Sequence, residues 1–254
     1  MAEKNDSAML PLAGRTAFVT GGTGAVGEAI CRALRRDGAA VAFSYANSAD
    51  KAALLESELD RPGAKVRSFR ADVRDWARLQ EVAREVEDAF GGADVLVNCA
   101  GVAQVMPFAL IREEDWDLMM DVNVKGMFLT TRAFIKGMIR RRRGSIVNLG
   151  SLAGMRVMEV PVHYAAAKSA VVGFTVALAR EIGRYGIRVN AVVPGLLEKG
   201  VGMNVPEKQK EEYRRFCCLS RTGTPEEVAE LVAFLAGDRA GYINAQAIFV
   251  DGGI

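Results

Sequence analysis

Tyr164 and Lys168 bracket three alanines in the stretch HYAAAK, His163 to Lys168. In a helix, residues four apart share one face about a turn from each other. The phenol and the ammonium would then point the same way with nothing bulky between them. A free Tyr titrates near pH ~10 and exchanges protons poorly at neutrality. A neighbouring cation favours the phenolate and lowers that value, and such a Tyr can pass a proton to a carbonyl oxygen. The same spacing also fits a surface helix with an ordinary aromatic and a solvated Lys.

A second chemical signal is the stretch TGGTGAVGEAI, residues 20–30, where Gly22, Gly24 and Gly27 form GxGxxG. Glycines at this spacing permit a tight turn and let the backbone approach a diphosphate, which sits at a helix N-terminus. A glycine-rich turn without a ligand is the alternative. The whole turn, Gly21, Gly22, Thr23, Gly24, Ala25, Val26 and Gly27, is the expected cofactor-binding segment. An NAD site of this type carries an acid at the end of the second strand to hold the ribose hydroxyls. That end reads SYANSADK, with Tyr45 in the acid's place and no carboxylate before Asp50. The missing acid favours a 2′-phosphate, hence NADP. Asn47 and Ser48, with their amides, would bond it and Lys51 would add charge; Asn47 and Ser48 are equally good helix-capping residues.

The elements that must position these groups alternate. Strand-like runs at 15–20, 39–45, 65–71, 94–98, 144–150, 187–193 and 247–253 are separated by helical patterns at 24–37, 49–60, 74–90, 114–140, 162–185 and 225–237. Such alternation predicts a single-domain Rossmann fold of the α/β class, a doubly wound seven-stranded parallel sheet with helices on both faces. No linker or repeat divides the chain. Residues 1–12 read as a flexible N-terminal tail and 13–254 as one catalytic domain. The long irregular stretch 195–224 reads as a substrate lid, or as a disordered insert.

Of the 254 residues, half are hydrophobic and a quarter charged, and the net charge is +2. Nothing in that balance calls for nucleic acid or membrane. No apolar run reaches the roughly 18 residues of a membrane span, and the N-terminus is too polar for a signal peptide. Cys31, Cys99, Cys217 and Cys218 have no metal spacing, and there is one histidine. No metal site is expected, and a reducing cytoplasm is the natural location.

Taken together, the chain resembles the short-chain dehydrogenase/reductase family, in its compact single-domain branch, from about Leu12 to Gly253. The resemblance rests on the glycine turn at 20–27, ADV at 71–73, NCAG at 98–101, VNVKG at 122–126, Ser151, Tyr164 and Lys168, VPG at 193–195 and VDGG at 250–253. It implies that Tyr164 is the general acid of a carbonyl reduction. Lys168 would bind the nicotinamide ribose and lower the Tyr pKa, and Ser151 would bond the substrate oxygen. Asn123 would kink its helix and hold a water. Asp72 and Val73 would lie against the adenine, and Asn98 would support the strand beneath. Ala100, Gly101, Pro194 and Gly195 would complete the cofactor site. Hydride would pass from the nicotinamide to the carbonyl carbon.

The chain departs from that pattern at Ala25, where the compact branch has glycine, at Cys99, where Asn is common, and at Lys199, where a Thr often meets the nicotinamide amide. Lys199 is either a cation at the site or a surface side chain of the lid. His163 falls on another helical face than Tyr164 and reads as structural.

Within the family, the YANS segment, the LGS before the active Ser and the C-terminal GTPEEVAELVAFLAGDRAGYINAQAIFVDGG are most similar to 3-oxoacyl-[acyl-carrier-protein] and acetoacetyl-CoA reductases. The expected reaction is NADPH-dependent reduction of a 3-oxoacyl thioester. A broad-substrate ketone or polyol dehydrogenase and a non-catalytic NADP-binding regulator are the alternatives. The apolar segments GLLEKGVGMNVP and AGMRVMEVPV suit an acyl chain or a flat ketone. The basic run Arg140, Arg141, Arg142 and Arg143 would either dock an acyl carrier protein or complement a helix dipole. The resemblance also implies a homotetramer paired through the two longest helices.

Overall fold

The computed structural model describes residues 10–61, 65–153, 155, 159–200 and 205–254. Seven strands form one parallel sheet: β1 (Thr16–Val19), β2 (Ala40–Tyr45), β3 (Val66–Arg70), β4 (Val95–Asn98), β5 (Gly144–Leu149), β6 (Ile187–Pro194) and β7 (Ala247–Val250). Their spatial order is β3-β2-β1-β4-β5-β6-β7, and every pairing is parallel. The strands are short and rich in Val, Ile and Phe. Those of the sheet centre are buried throughout, as expected for strands covered on both faces.

Strand residues alternate between two cores. Val19, Phe43, Val97 and Val147 face α1 (Ala25–Arg36), α2 (Ala49–Leu59) and α8 (Pro225–Ala236). Phe18, Leu96, Ile146 and Val189 face α3 (Trp76–Phe90), α5 (Gly126–Arg141) and α6 (Val162–Ile182). Phe18 stacks on Phe134 with ring centroids 4.4 Å apart. The chain winds outward from β1 to β3, then restarts at β4 and winds the other way. The switch point lies between β1 and β4, where ligands of open α/β sheets bind.

Three expectations need correction. The helix foreseen over 114–140 is two: α4 (Glu113–Met120) and α5, joined by a π-helical turn at Asp121–Lys125. Its cause is Asn123, whose Nδ2 donates to the Met119 carbonyl at 3.0 Å and so interrupts the helical ladder. The irregular stretch 195–224 contains α7 (Glu207–Phe216); residues 201–204 of that stretch, and residues 154 and 156–158 of the apolar segment after Ser151, lie outside the described residues. The N-terminal tail is shorter than 1–12. Leu12 is fully buried in the first core, and its amide donates to Asp37 O at 2.8 Å; residues 1–9 lie outside the described residues.

By length and composition alone, the helix over Val162–Tyr185 is apolar enough to cross a membrane. Here it packs along β6 and carries Tyr164 and Lys168.

Candidate active site

At the C-terminal ends of β1, β4 and β5 the sheet opens into a cleft of about 1010 Å³. Its floor begins with the glycine turn. Gly21 sits at φ +68°, and a Cβ there would lie 2.9 Å from the Ala100 backbone. A Cβ on Gly27 would meet the Gly21 carbonyl at 2.2 Å, so α1 starts directly under the turn. Gly24 caps α1 without a side-chain hydrogen bond. The first amides of a twelve-residue helix therefore face the cleft over side-chain-free backbone, which fits an anionic diphosphate. Gly22 does not line the cleft: a Cβ there would run into the Phe43 ring, so this glycine serves packing on β2. Thr20 closes the same corner, its Oγ accepting from the Cys99 and Ala100 amides at 3.0 Å each.

At the far end of β2, Tyr45, Asn47 and Ser48 line the cleft together with Asp72, Val73 and Arg74. Arg74 forks onto the Asp72 carboxylate at 2.7 Å, and that hydrogen bond holds the Asp72 carboxyl below its usual range. Tyr45 is in register with Arg70, which lines an adjoining depression with Asn47. The end of β2 thus carries no carboxylate of its own and is flanked by Arg70 from β3 and by the Arg74–Asp72 pair that follows that strand.

The catalytic candidates meet on the other side of the switch point. Ser151 follows β5 and accepts from the Ala153 amide at 3.2 Å. Tyr164 and Lys168 extend from α6 into the same cleft, with the Lys168 Nζ 5.8 Å from the Tyr164 ring centroid. Lys168 is buried and donates to the Leu149 carbonyl at 2.9 Å. Asn123 reaches the cleft from the π turn. It ties Val102 by two bonds, accepting from its amide at 3.3 Å and donating to its carbonyl at 3.0 Å. Gly101 lies between them: a Cβ there would be 2.7 Å from Asn123 Oδ1 and 3.5 Å from Lys168 Nζ. Ala100, Pro194 and Gly195 also line the cleft.

Asn98 supports the strand beneath the site, as expected, but it is not one of the residues a cofactor in the cleft would touch. It is buried beneath the site and does not line it, donating to Thr131 Oγ at 3.0 Å and Asn148 Oδ1 at 2.8 Å. Asn148 in turn donates to Thr175 at 2.9 Å. This polar chain joins α5, β4, β5 and α6 under the catalytic side chains. Only Asn residues near the ends of two apolar strands, unusual in such runs, marked it in the sequence. Tyr213 was also missed. It is buried, donates to the Asp251 carbonyl at 2.7 Å and anchors α7 to the end of β7. A Cβ on Gly195 would strike its hydroxyl, and burial raises the phenol to about 12.

Ala25 is accommodated at the first position of α1, and a Cβ on Gly200 would sit 3.6 Å from its methyl. The segment after β6 therefore lies over the glycine turn, and Lys199 lines the cleft there, exposed, with Nζ 4.0 Å from Glu198. Cys99 is half-buried, packing on the first core while also lining the cleft, and desolvation pushes its thiol up to about 12. No group of His, Cys, Asp and Glu side chains among the described residues could hold a metal.

A doubly wound sheet with a glycine turn at its switch point defines a dinucleotide-binding class of protein. Sequence comparison makes the class specific. The family model described as Enoyl-(Acyl carrier protein) reductase matches residues 22–254. The 3-oxoacyl-[acyl-carrier-protein] reductase FabG of Thermotoga maritima is 36% identical over 243 residues, covering 96% of this chain and 98% of that one. A short-chain dehydrogenase/reductase from Serratia marcescens superposes with TM-score 0.89 at 38% identity, over 96% of this chain and 98% of the other. A gluconate 5-dehydrogenase from Burkholderia cenocepacia, solved with NADP and tartrate, gives TM-score 0.90 at 30% identity, over 96% of each chain. The chain belongs to the short-chain dehydrogenase/reductase family of oxidoreductases.

Proposed function

We propose that the chain is an NADPH-dependent carbonyl reductase whose substrate is a 3-oxoacyl thioester. The observation that carries this is the convergence of Ser151, Tyr164 and Lys168 in one cleft that runs from the glycine turn to an apolar mouth. Gly21 to Gly27, without Gly22, would hold the diphosphate. Asn47, Ser48 and Arg74 would hold the 2′-phosphate, and Lys168 the nicotinamide ribose. Asp72 and Val73 would flank the adenine. NADP in the gluconate dehydrogenase structure supports the choice of cofactor, as does the missing acid at Tyr45.

When bound, the dinucleotide supplies a hydride to the carbonyl carbon. The protein's own part is to hold the carbonyl oxygen and protonate it. The Ser151 hydroxyl donates to that oxygen and fixes its position, and the Tyr164 hydroxyl gives up its proton as the carbon–oxygen double bond becomes an alcohol. The Lys168 ammonium, with its Nζ 5.8 Å from the Tyr164 ring centroid, adds positive charge to the space in which this transfer takes place. Asn123 holds Val102 and borders the same space, where a water would restore the proton from solvent.

Val105, Met106, Phe108, Leu118, Val160 and Leu196 line the cleft. An acyl chain can bury itself against them, whereas a polyol would leave its hydroxyls facing apolar surface. This favours the 3-oxoacyl reading over a gluconate-type one, and the full Asn123, Ser151, Tyr164 and Lys168 set argues against a non-catalytic regulator. Residues 195–200 and 205–224, with α7, serve as the lid over the substrate, and the reaction takes place in the cytoplasm.

NADPH consumption against 3-oxoacyl thioesters, 2-enoyl thioesters, simple ketones and sugars tests the proposal. The highest kcat/KM is expected with a 3-oxoacyl thioester. A preference for a sugar or an enoyl thioester would overturn it.

A further inference from the structure

His163 precedes the catalytic Tyr164, is fully buried and is not among the residues lining the cleft. Its Nε2 is 3.1 Å from the Gln104 Oε1. Gln104 Nε2 donates to Asp115 Oδ1 at 3.0 Å. Asp115 is in turn held by Arg112, whose Nε and backbone amide donate to it at 3.0 and 3.2 Å.

The direction of each bond in this chain follows from the last member. Arg112 keeps the Asp115 carboxyl ionised, with its pKa lowered to about 2, so Asp115 can only accept. Gln104 must then turn its amide nitrogen to Asp115 and its oxygen to His163. His163 must donate from Nε2. Its Nδ1 is buried with no hydrogen-bond partner among the described residues, and burial lowers the imidazole pKa. The ring is therefore a neutral donor with one committed bond.

That bond falls where the chain has least to hold it. Between β4 and α4 the backbone forms no helix or strand except a single 3-10 turn at Phe108–Leu110. Asn123 fastens the loop at Val102, and His163 fastens it at Gln104. The residues just beyond, Val105, Met106 and Phe108, line the cleft mouth, and Val105 and Phe108 are 47% and 71% exposed. Exposed apolar side chains next to a buried latch are placed to meet substrate, not core.

We propose that His163 is a positioning residue that, through Gln104, holds the apolar loop 102–108 against the catalytic helix and so sets the cleft's preference for longer acyl chains. This rests on the 3-oxoacyl reading above. A loop freed from its latch must be ordered by the substrate, which weakens binding most for substrates that touch the loop most.

The test compares acetoacetyl and 3-oxo-octanoyl N-acetylcysteamine thioesters with the wild type, His163→Phe, His163→Gln, Gln104→Leu and the Phe/Leu double variant. In His163→Phe the KM for the eight-carbon substrate should rise about three- to tenfold, the scale of one hydrogen bond, and more than for the four-carbon one, with kcat changing less than KM. Gln104→Leu should do the same, and the double variant should be no worse than either single change. His163→Gln, which restores an amide donor, should recover most of the selectivity. An unchanged chain-length ratio in folded Gln104→Leu would overturn the proposal even if His163→Phe did not fold. So would additive losses in the double variant. A wild type that reduces 3-oxo-octanoyl and acetoacetyl thioesters equally well would remove the inference and leave the substrate class standing; reduction of neither would remove both.

Discussion

Lys168 crosses from α6 to the last residue of β5, where its Nζ donates to the Leu149 carbonyl at 2.9 Å, two residues before Ser151. One bond thus ties the helix that carries Tyr164 to the strand that carries Ser151, and it leaves the ammonium aimed at the space bounded by Gly101 and Asn123. Lys168→Met should keep the fold, since the long stem still fills its channel. It should weaken NADPH binding roughly 10- to 100-fold, the scale of a hydrogen bond to a charged group. Fluorescence titration of the dinucleotide checks this, and an unchanged Kd would remove Lys168 from the cofactor site.

Cofactor choice follows from the end of β2. Tyr45 lies in register with Arg70, and Arg74, paired with Asp72, is close by, so the end of β2 offers a 2′-phosphate neighbouring cations and offers a free ribose hydroxyl no carboxylate of its own. NADPH should exceed NADH in kcat/KM by at least about tenfold, since a charged contact contributes about 1.5–3 kcal/mol. Tyr45→Asp should narrow or reverse the ratio. Equal efficiency with both cofactors in the wild type would contradict the assignment.

Acid stability should depend on Glu227. It closes a capping box at the start of α8: its Oε2 accepts from the Thr224 amide at 2.9 Å, and its own amide donates to Thr224 Oγ at 3.2 Å. The Arg221 side-chain bond and then the Thr224 amide bring its carboxyl from the ordinary 4.5 down to about 2. The folded chain keeps this charge where the unfolded chain takes up a proton. Its stabilisation is therefore present above about pH 4.5 and is lost as pH falls toward 2. Glu227→Gln should shrink the difference between urea midpoints at pH 6 and pH 3. An identical difference in the variant would show that the box is not the titrating element.

The basic run is mostly occupied. Arg140 and Arg141 pair with Glu87, and Arg143 with the buried Asp94. Arg142 instead adopts φ +49° at the end of α5 and donates to the Arg184 carbonyl at 3.0 Å. It precedes β5, whereas Ser151 follows it, so the two lie at opposite ends of that strand. If a carrier docks at Arg142, at the far end of β5 from Ser151, delivery to the cleft of a neighbouring copy is the arrangement to test. Two linked outcomes are expected: a tetrameric mass by light scattering, and a raised KM for acyl-carrier substrates in Arg142→Glu with a small thioester little affected. A monomer, or equal losses on both substrates, would exclude docking there.

Much of this was legible in the sequence because short apolar strands and glycine turns are local signals. The seven strands, the switch-point turn and the Tyr164–Lys168 face all follow from spacing. What escaped depends on contacts distant in the chain. The break at Asn123 exists because its side chain takes the Met119 carbonyl and reaches back to Val102. Gly22 reads as a ligand-binding glycine in the motif, yet Phe43 of the next strand is what requires it. Helix α7 lies in a stretch whose polar, Lys- and Glu-rich pattern gives little apolar periodicity, and its anchor, Tyr213, finds its partner at Asp251. His163 looked merely structural because Gln104 is 59 residues away.

The central claim is that Tyr164 protonates the substrate oxygen. The most direct measurement is single-turnover NADPH oxidation by Tyr164→Phe with a 3-oxoacyl thioester, alongside its NADPH affinity. The ring remains and the proton is gone. General acid catalysis alone contributes about 10²–10⁴, so the rate should fall at least that far while NADPH binds within a few-fold of the wild type. Near-wild-type reduction by Tyr164→Phe would contradict the mechanism, however well the cleft is formed.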